Sequence, residues 1–198
     1  MLLPKNIGEL TVKQFQGLTK IYQSDKDLLD KGCEAISLLT GMCEDDVLKM
    51  DYRDVQKAFN HINDILKSQP KEGLIKYVVS GTTVYRAVTD MSKISTAQYI
   101  DLKNLAKNDK WIDNMHLLLG CLYMPVNWYG KPKKYNGSRL DSVGADMLNI
   151  KLKYVYGTLF FYSAVFEKLS PTIQMSLEEA LKVIADTVSQ AEKDLQVS

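Results

Sequence analysis

Apolar residues recur along this chain in steps of three and four, and the rhythm drops to two in only one region. Phe15, Leu18, Ile21 and Tyr22 share one face of a helix. That helix opens at Leu10-Thr11-Val12-Lys13-Gln14-Phe15. Thr11 can cap the third helical amide while Gln14 reaches back, and Leu10 can staple onto Phe15. Ser24 with Asp27 opens a second helix that buries Leu28, Leu29, Ala35, Ile36, Leu38 and Leu39, and Gly41 suits its C-terminal cap. CEDDVLKM reads as a short third helix with its acids at the dipole-favoured end. Asp51 caps a fourth, running to about Lys67, with Val55, Phe59, Ile62 and Leu66 on one face. SQPKEG, residues 68–73, then breaks the pattern.

The change of period follows. Leu74–Val79 and Thr83–Val88 are rich in Val, Ile, Thr and Tyr and are joined through Ser80-Gly81-Thr82. Gly81 supplies the left-handed conformation of a tight hairpin turn. A lone hairpin is marginal in water, so it must pack on helices or pair with another chain. Helical spacing then returns. Ser95 and Gln98 form a second capping box, with Ile94 and Tyr99 placed as a staple, for a helix to about Lys107. Asp109 starts a sixth helix that carries Trp111, Ile112, Met115, Leu118, Leu119 and Leu122 and stops before Pro125. Ser142–Leu148 suits one or two turns. A helix from about Ile150 to Leu169 is apolar nearly all round, as in a core element or one covered by a subunit. Ser176 and Glu179 box a last helix to about Leu195, whose Leu177, Leu181, Ile184, Val188, Ala191 and Leu195 follow a coiled-coil seam.

The pattern therefore predicts a mainly α chain, a bundle of about seven helices with one inserted β-hairpin at about residues 74–90. A single domain over 1–198 accommodates it. Within that, N-terminal helices (1–67), a hairpin plus helical core (74–169) and a C-terminal helix (176–198) form natural subdivisions.

Composition adds exclusions. Apolar residues make up 45% and charged residues 25%, which allows an ordinary hydrophobic core. A formal net charge of +1 gives no global pull toward nucleic acid or membrane, so any electrostatic partner must meet a local patch. The apolar run Tyr154–Phe166 is shorter than the roughly 20 residues a bilayer requires. The odd count of three cysteines, Cys33, Cys43 and Cys121, all in apolar surroundings and without CxxC spacing, points away from a disulfide scaffold and toward a reducing cytosol. The start MLLPKNIGEL does not read as a secretory signal.

Candidate chemistry is sparse. The P-loop, the dinucleotide glycine fingerprint, HExxH, the nucleophile elbow and paired CxxC are all absent from the sequence. Tyr99-x-x-x-Lys103 has the spacing of a dehydrogenase dyad, but it lacks a glycine-rich cofactor loop and Tyr99 serves as a staple. His61 and His116 have no further ligand at metal spacing, and Glu44, Asp45 and Asp46 suit a helix end. No catalytic residue, metal or cofactor is expected.

The richest stretch is YMPVNWYGKPKKYNGSRLD, residues 123–141, expected to be a loop. Lys131, Lys133, Lys134 and Arg139 alternate there with Trp128, Tyr129 and Tyr135, and no acid intervenes before Asp141. Long loops inside a domain are usually functional or disordered. Three readings stay open. One is a solvated loop whose aromatics pack back onto the domain. Another is a protein-binding loop, since Tyr, Trp and Arg dominate interface hot spots. The third is a single-stranded nucleic-acid site, with cations on phosphates and rings on bases, against which the near-zero net charge weighs. Phe160, Phe161 and Phe166 of the apolar helix, with Leu181, Ile184 and Val188 of the last one, are further contact candidates, including for self-association through the C-terminal helices.

The order of motifs also carries a resemblance. ELTVKQFQGLTKIYQS, followed by a helix ending in LLTGMCEDDVLKM, resembles the opening of small proteins encoded among the tail genes of tailed bacteriophages. These are the tail assembly chaperone-like proteins, and the likeness is greatest to those of phages of gut Bacteroidetes. VSGTTVYRAVTDMSKISTAQYIDLKNL is similar to their short strand pair followed by a helix with a Gln-Tyr-Ile-Asp-Leu core, and NMHLLLGCLYMPV, KKYNG and GTLFFYSAVF fall in the same order. The C-terminal heptad helix and the basic character of the loop depart from the pattern. The resemblance implies a non-enzymatic morphogenesis protein in the host cytoplasm that covers aggregation-prone segments of other phage structural proteins during tail or connector assembly. The alternative is an integral virion component, such as a ring, connector or packaged protein, toward which the Phe-rich helix leans.

Overall fold

The computed structural model describes residues 2–68, 73–106 and 111–167. Among the described residues the chain is mainly α, with eight helices and one small antiparallel sheet. Four helices come first: α1 (Val12–Gln23), α2 (Leu28–Thr40), α3 (Glu44–Leu48) and α4 (Tyr52–Lys67). Their ends are set by local chemistry. Thr11 Oγ1 accepts the Gln14 N–H and Gln14 Oε1 accepts the Thr11 N–H, which closes the expected capping box. Asp27 and Asp51 cap α2 and α4. Gly41 ends α2 at φ 74°, where only glycine is unstrained. Polar side chains tie these helices to their surroundings. The buried Gln16 amide donates to the Ile112 and Asp113 carbonyls at 2.5 and 2.8 Å, and the Tyr22 hydroxyl donates to Asn63 Oδ1 at 2.5 Å.

The sheet interrupts the helices. β1 (Tyr77–Ser80) and β2 (Thr83–Ala87) form the expected hairpin, with Tyr77 opposite Arg86 and Val79 opposite Val84. Gly81, at φ 55°, takes the first central position of the two-residue turn. After α5 (Thr96–Ala106) and α6 (Met115–Leu122), the chain continues without a break into β3 (Tyr123–Pro125), which pairs with β2 and makes it the central strand. Two expectations need correction here. The hairpin has a third strand, because Tyr123, Met124 and Pro125 extend beside β2 where the sequence suggested only a helix end. Trp111 and Ile112 lie in a turn ahead of α6 rather than inside it, yet both are buried.

α7 (Leu140–Met147) packs closely on α6 through Gly120 and Gly144; a Cβ at Gly144 would meet Leu117 Cδ2 at 2.8 Å. α8 (Leu152–Glu167) follows. It buries Leu152, Val155, Tyr156, Thr158, Leu159 and Tyr162 but turns Lys153, Tyr154 and Phe160 outward, so its surroundings are less uniformly apolar than its sequence. One cluster of buried side chains links every helix and strand, from Ile7 to Tyr162. No helix among the described residues is long and apolar enough to cross a membrane. All three cysteines are free; Cys33 and Cys121 are buried, whereas Cys43 is exposed, contrary to the expectation of apolar surroundings. The expected C-terminal helix lies outside the described residues, as do the side chains of Phe166, Leu181, Ile184 and Val188.

Candidate binding surface

The stretch expected to be a loop is largely a second hairpin. Past β3, the Val126 N–H donates to the Val84 carbonyl at 2.9 Å, so the strand runs on beside β2. The chain then reverses. Val126 bridges to Pro132, the Lys133 N–H reaches the Pro125 carbonyl at 2.8 Å, and the Asn127 N–H reaches the Lys131 carbonyl at 2.8 Å. The reversal is organised by one carboxamide. Asn127 Oδ1 accepts the N–H groups of Tyr129 and Lys131 at 3.0 and 2.9 Å, while Gly130 takes φ 71°. A solvated loop with all its aromatics folded back is therefore not what forms. Trp128 is 95% exposed and Tyr129 83% exposed at the tip, because the turn holds the backbone away from the core.

Tyr135 behaves differently. It is half-buried, its hydroxyl donates to Asp101 Oδ2 at 2.5 Å and lies 3.6 Å from Cys121 Sγ, and it anchors the returning chain to α5. Burial and the Asp101 carboxylate push its hydroxyl well above the usual tyrosine range, and burial raises the Cys121 thiol to about 11. Both groups thus stay protonated and serve as packing. Asn136 then caps a short turn through its carboxamide, which accepts the Ser138 N–H at 3.1 Å, and delivers the exposed Arg139 to the start of α7.

The two hairpins share one outward sheet face. Val79, Val84, Val126 and Pro132 form a row across it, and Tyr77, Arg86 and Met124 form the next. Val79 is 64% and Tyr77 47% exposed. The Lys76 ammonium and Arg86 guanidinium sit 6.0 and 5.8 Å from the Tyr77 ring centroid, at cation–π range. Beside the second row lies a groove of about 650 Å³. The buried Met124 lines it, and Arg86, Lys93, Lys133 and Lys134 bring four cations to its lining. Its one carboxylate, Asp90, pairs with Lys93 at 2.8 Å and accepts from the Ser92 N–H and hydroxyl, which hold it down to about 2. A smaller cavity of about 120 Å³ shares Lys133, Lys134 and Tyr135 and adds Arg139.

The structure thus gathers Lys133, Lys134 and Arg139, projects Trp128, Tyr129 and Lys131 at the tip, and turns Tyr135 inward. Phe160 and Phe161 lie apart, on α8, where Phe161 packs edge-on against Tyr162 at 5.5 Å. Tyr77, Val79, Val84, Arg86 and Lys93 escaped the sequence reading. Strand alternation marks the first four as sharing a face, but their link to the lysines depends on β3. Among the described residues no group of three or more His, Cys, Asp or Glu is placed to hold a metal. No protein-family model, curated protein or solved structure matches the chain.

Proposed function

We propose that this chain is a non-enzymatic binding protein of phage tail or connector assembly, which grips segments of other structural proteins in the manner of a chaperone. The observation that carries the reading is the outward sheet face, where Tyr77, Val79 and Val84 stand exposed beside the Trp128–Tyr129 tip. Exposed apolar residues scattered singly need no explanation, but a contiguous set on a rigid sheet marks an interaction site. Aromatic anchors held by a fixed turn lose little conformational freedom on binding and commonly contribute about 2 kcal/mol or more each. The tail-protein resemblance supplies the biological setting.

The test is co-expression with the polypeptides encoded beside this chain. A partner that is insoluble alone becomes soluble with the wild-type chain and precipitates with the Val79→Lys, Trp128→Ala double variant. Equal rescue by both forms refutes the reading. Mass spectrometry of mature particles then separates a transient chaperone, absent from them, from a retained virion part.

A further inference from the structure

We propose that the groove beside the sheet face binds an acidic segment of the partner polypeptide, with carboxylates on its lysines and apolar side chains on the adjoining valine row. This rests on the protein-binding reading and assigns the chemistry of the partner. The groove concentrates charge that the whole chain does not have: four cations and one carboxylate line it, against a net charge of +1 for all 198 residues. These cations come from three separate segments. Arg86 comes from β2, Lys93 from the turn before α5, and Lys133 and Lys134 from the returning arm of the second hairpin. Asp90 is already engaged by Lys93 and Ser92, and Lys133 and Lys134 form no ion pair with any described carboxylate.

The floor selects among polyanions. Reading nucleobases requires either free polar groups or free ring faces. Here the Gln98 amide donates to the Cys121 carbonyl at 2.6 Å and accepts from the Ser95 N–H, and the Tyr135 hydroxyl is committed to Asp101. The exposed rings, Trp128 and Tyr129, are not part of the lining. What remains is the buried, apolar Met124 under a rim of lysines, which suits the aliphatic stem and charged end of Glu or Asp. Arg86 belongs to both the groove and the sheet face, so a single extended segment can meet both. Such a local patch steers an acidic partner and fixes its register more than it adds raw affinity.

The experiment measures binding of three probes to the full chain: a fluorescent peptide of alternating Glu and Leu, an oligothymidylate of equal charge, and inorganic phosphate. The peptide is expected to bind most tightly, to weaken with salt, and to bind roughly tenfold more weakly to the Lys133→Glu, Lys134→Glu double variant. Both side chains are exposed, so the melting curve of that variant should match wild type, which separates lost binding from lost folding. Tighter binding of the oligothymidylate, a response to phosphate equal to that of the peptide, or unchanged peptide binding by the double variant each overturns the proposal. If the double variant also leaves co-expression rescue intact while Val79→Lys, Trp128→Ala abolishes it, the groove assignment fails and the protein-binding reading stands.

Discussion

The two faces of one small sheet are built from the same residue types and put to opposite uses. Inward, Val78, Tyr85, Ala87 and Tyr123 are buried, and both tyrosine hydroxyls are satisfied. Tyr85 donates to the Asp146 carboxylate; Tyr123 donates to the Ile75 carbonyl at 3.0 Å and lies 2.6 Å from Thr158 Oγ1. Outward, Tyr77, Val79 and Val84 meet solvent, and Tyr77 has cations against its ring instead of a packed environment. Tyrosine and valine therefore do not reveal their role by identity. Strand parity decides it, and parity in turn depends on which face the helices cover.

The contrast can be broken most forcefully from the inside. Tyr123→Ala should cost about 3–5 kcal/mol in urea unfolding, since it empties a packed site and strips partners from Ile75 and Thr158. Tyr77→Ala, two strands away on the other face, should cost no more than about 1 kcal/mol. Similar losses at the two positions would show that the outer face is structural. Next in size is Gly157→Val. A Cβ at Gly157 would overlap the Gly73 backbone, where α8 supports the chain entering β1, so a loss of about 1–3 kcal/mol is expected. Trp128→Ala should leave the unfolding free energy within about 0.5 kcal/mol of wild type yet weaken partner binding by about 2 kcal/mol. Titration of the partner against both forms checks this.

The smallest effect concerns His116. Burial holds its imidazole below the ordinary 6.5. Below pH 6.5 the unfolded chain takes up a proton that the folded chain resists, so stability should fall as pH drops from 6.5 toward the depressed folded value and then level off. His116→Gln should flatten that slope; an unchanged pH profile would show that another group causes it.

Much of the scaffold was legible because its signals are local. Thr11 with Gln14, Ser95 with Gln98, Asp51, Gly41 and Gly81 each specify a cap or turn within a few residues, and each does so in the fold. The site was only half legible. Lys131–Arg139 stood out by composition, but three features did not, two of them because they depend on contacts distant in sequence. β3 is three residues long and fused to the end of α6, too short for any period to show. The second hairpin is set by the Asn127 carboxamide bonding its own backbone, which alternation does not encode. Arg86 and Lys93 join the lysines only once β3 places Met124 opposite Arg86. Cys43, expected in apolar surroundings, is instead followed by Glu44, Asp45 and Asp46 at the exposed start of a five-residue helix.

The most direct test of the outward face is a photo-cross-linking amino acid placed at Val79, with a control at Lys57 on the exposed side of α4, in cells making the whole set of neighbouring proteins. A discrete cross-linked polypeptide at position 79, absent at position 57 and lost with Trp128→Ala, is the expected result. Identical patterns at the two positions, or no cross-linked polypeptide at 79, would contradict the claim that this face exists to hold another chain.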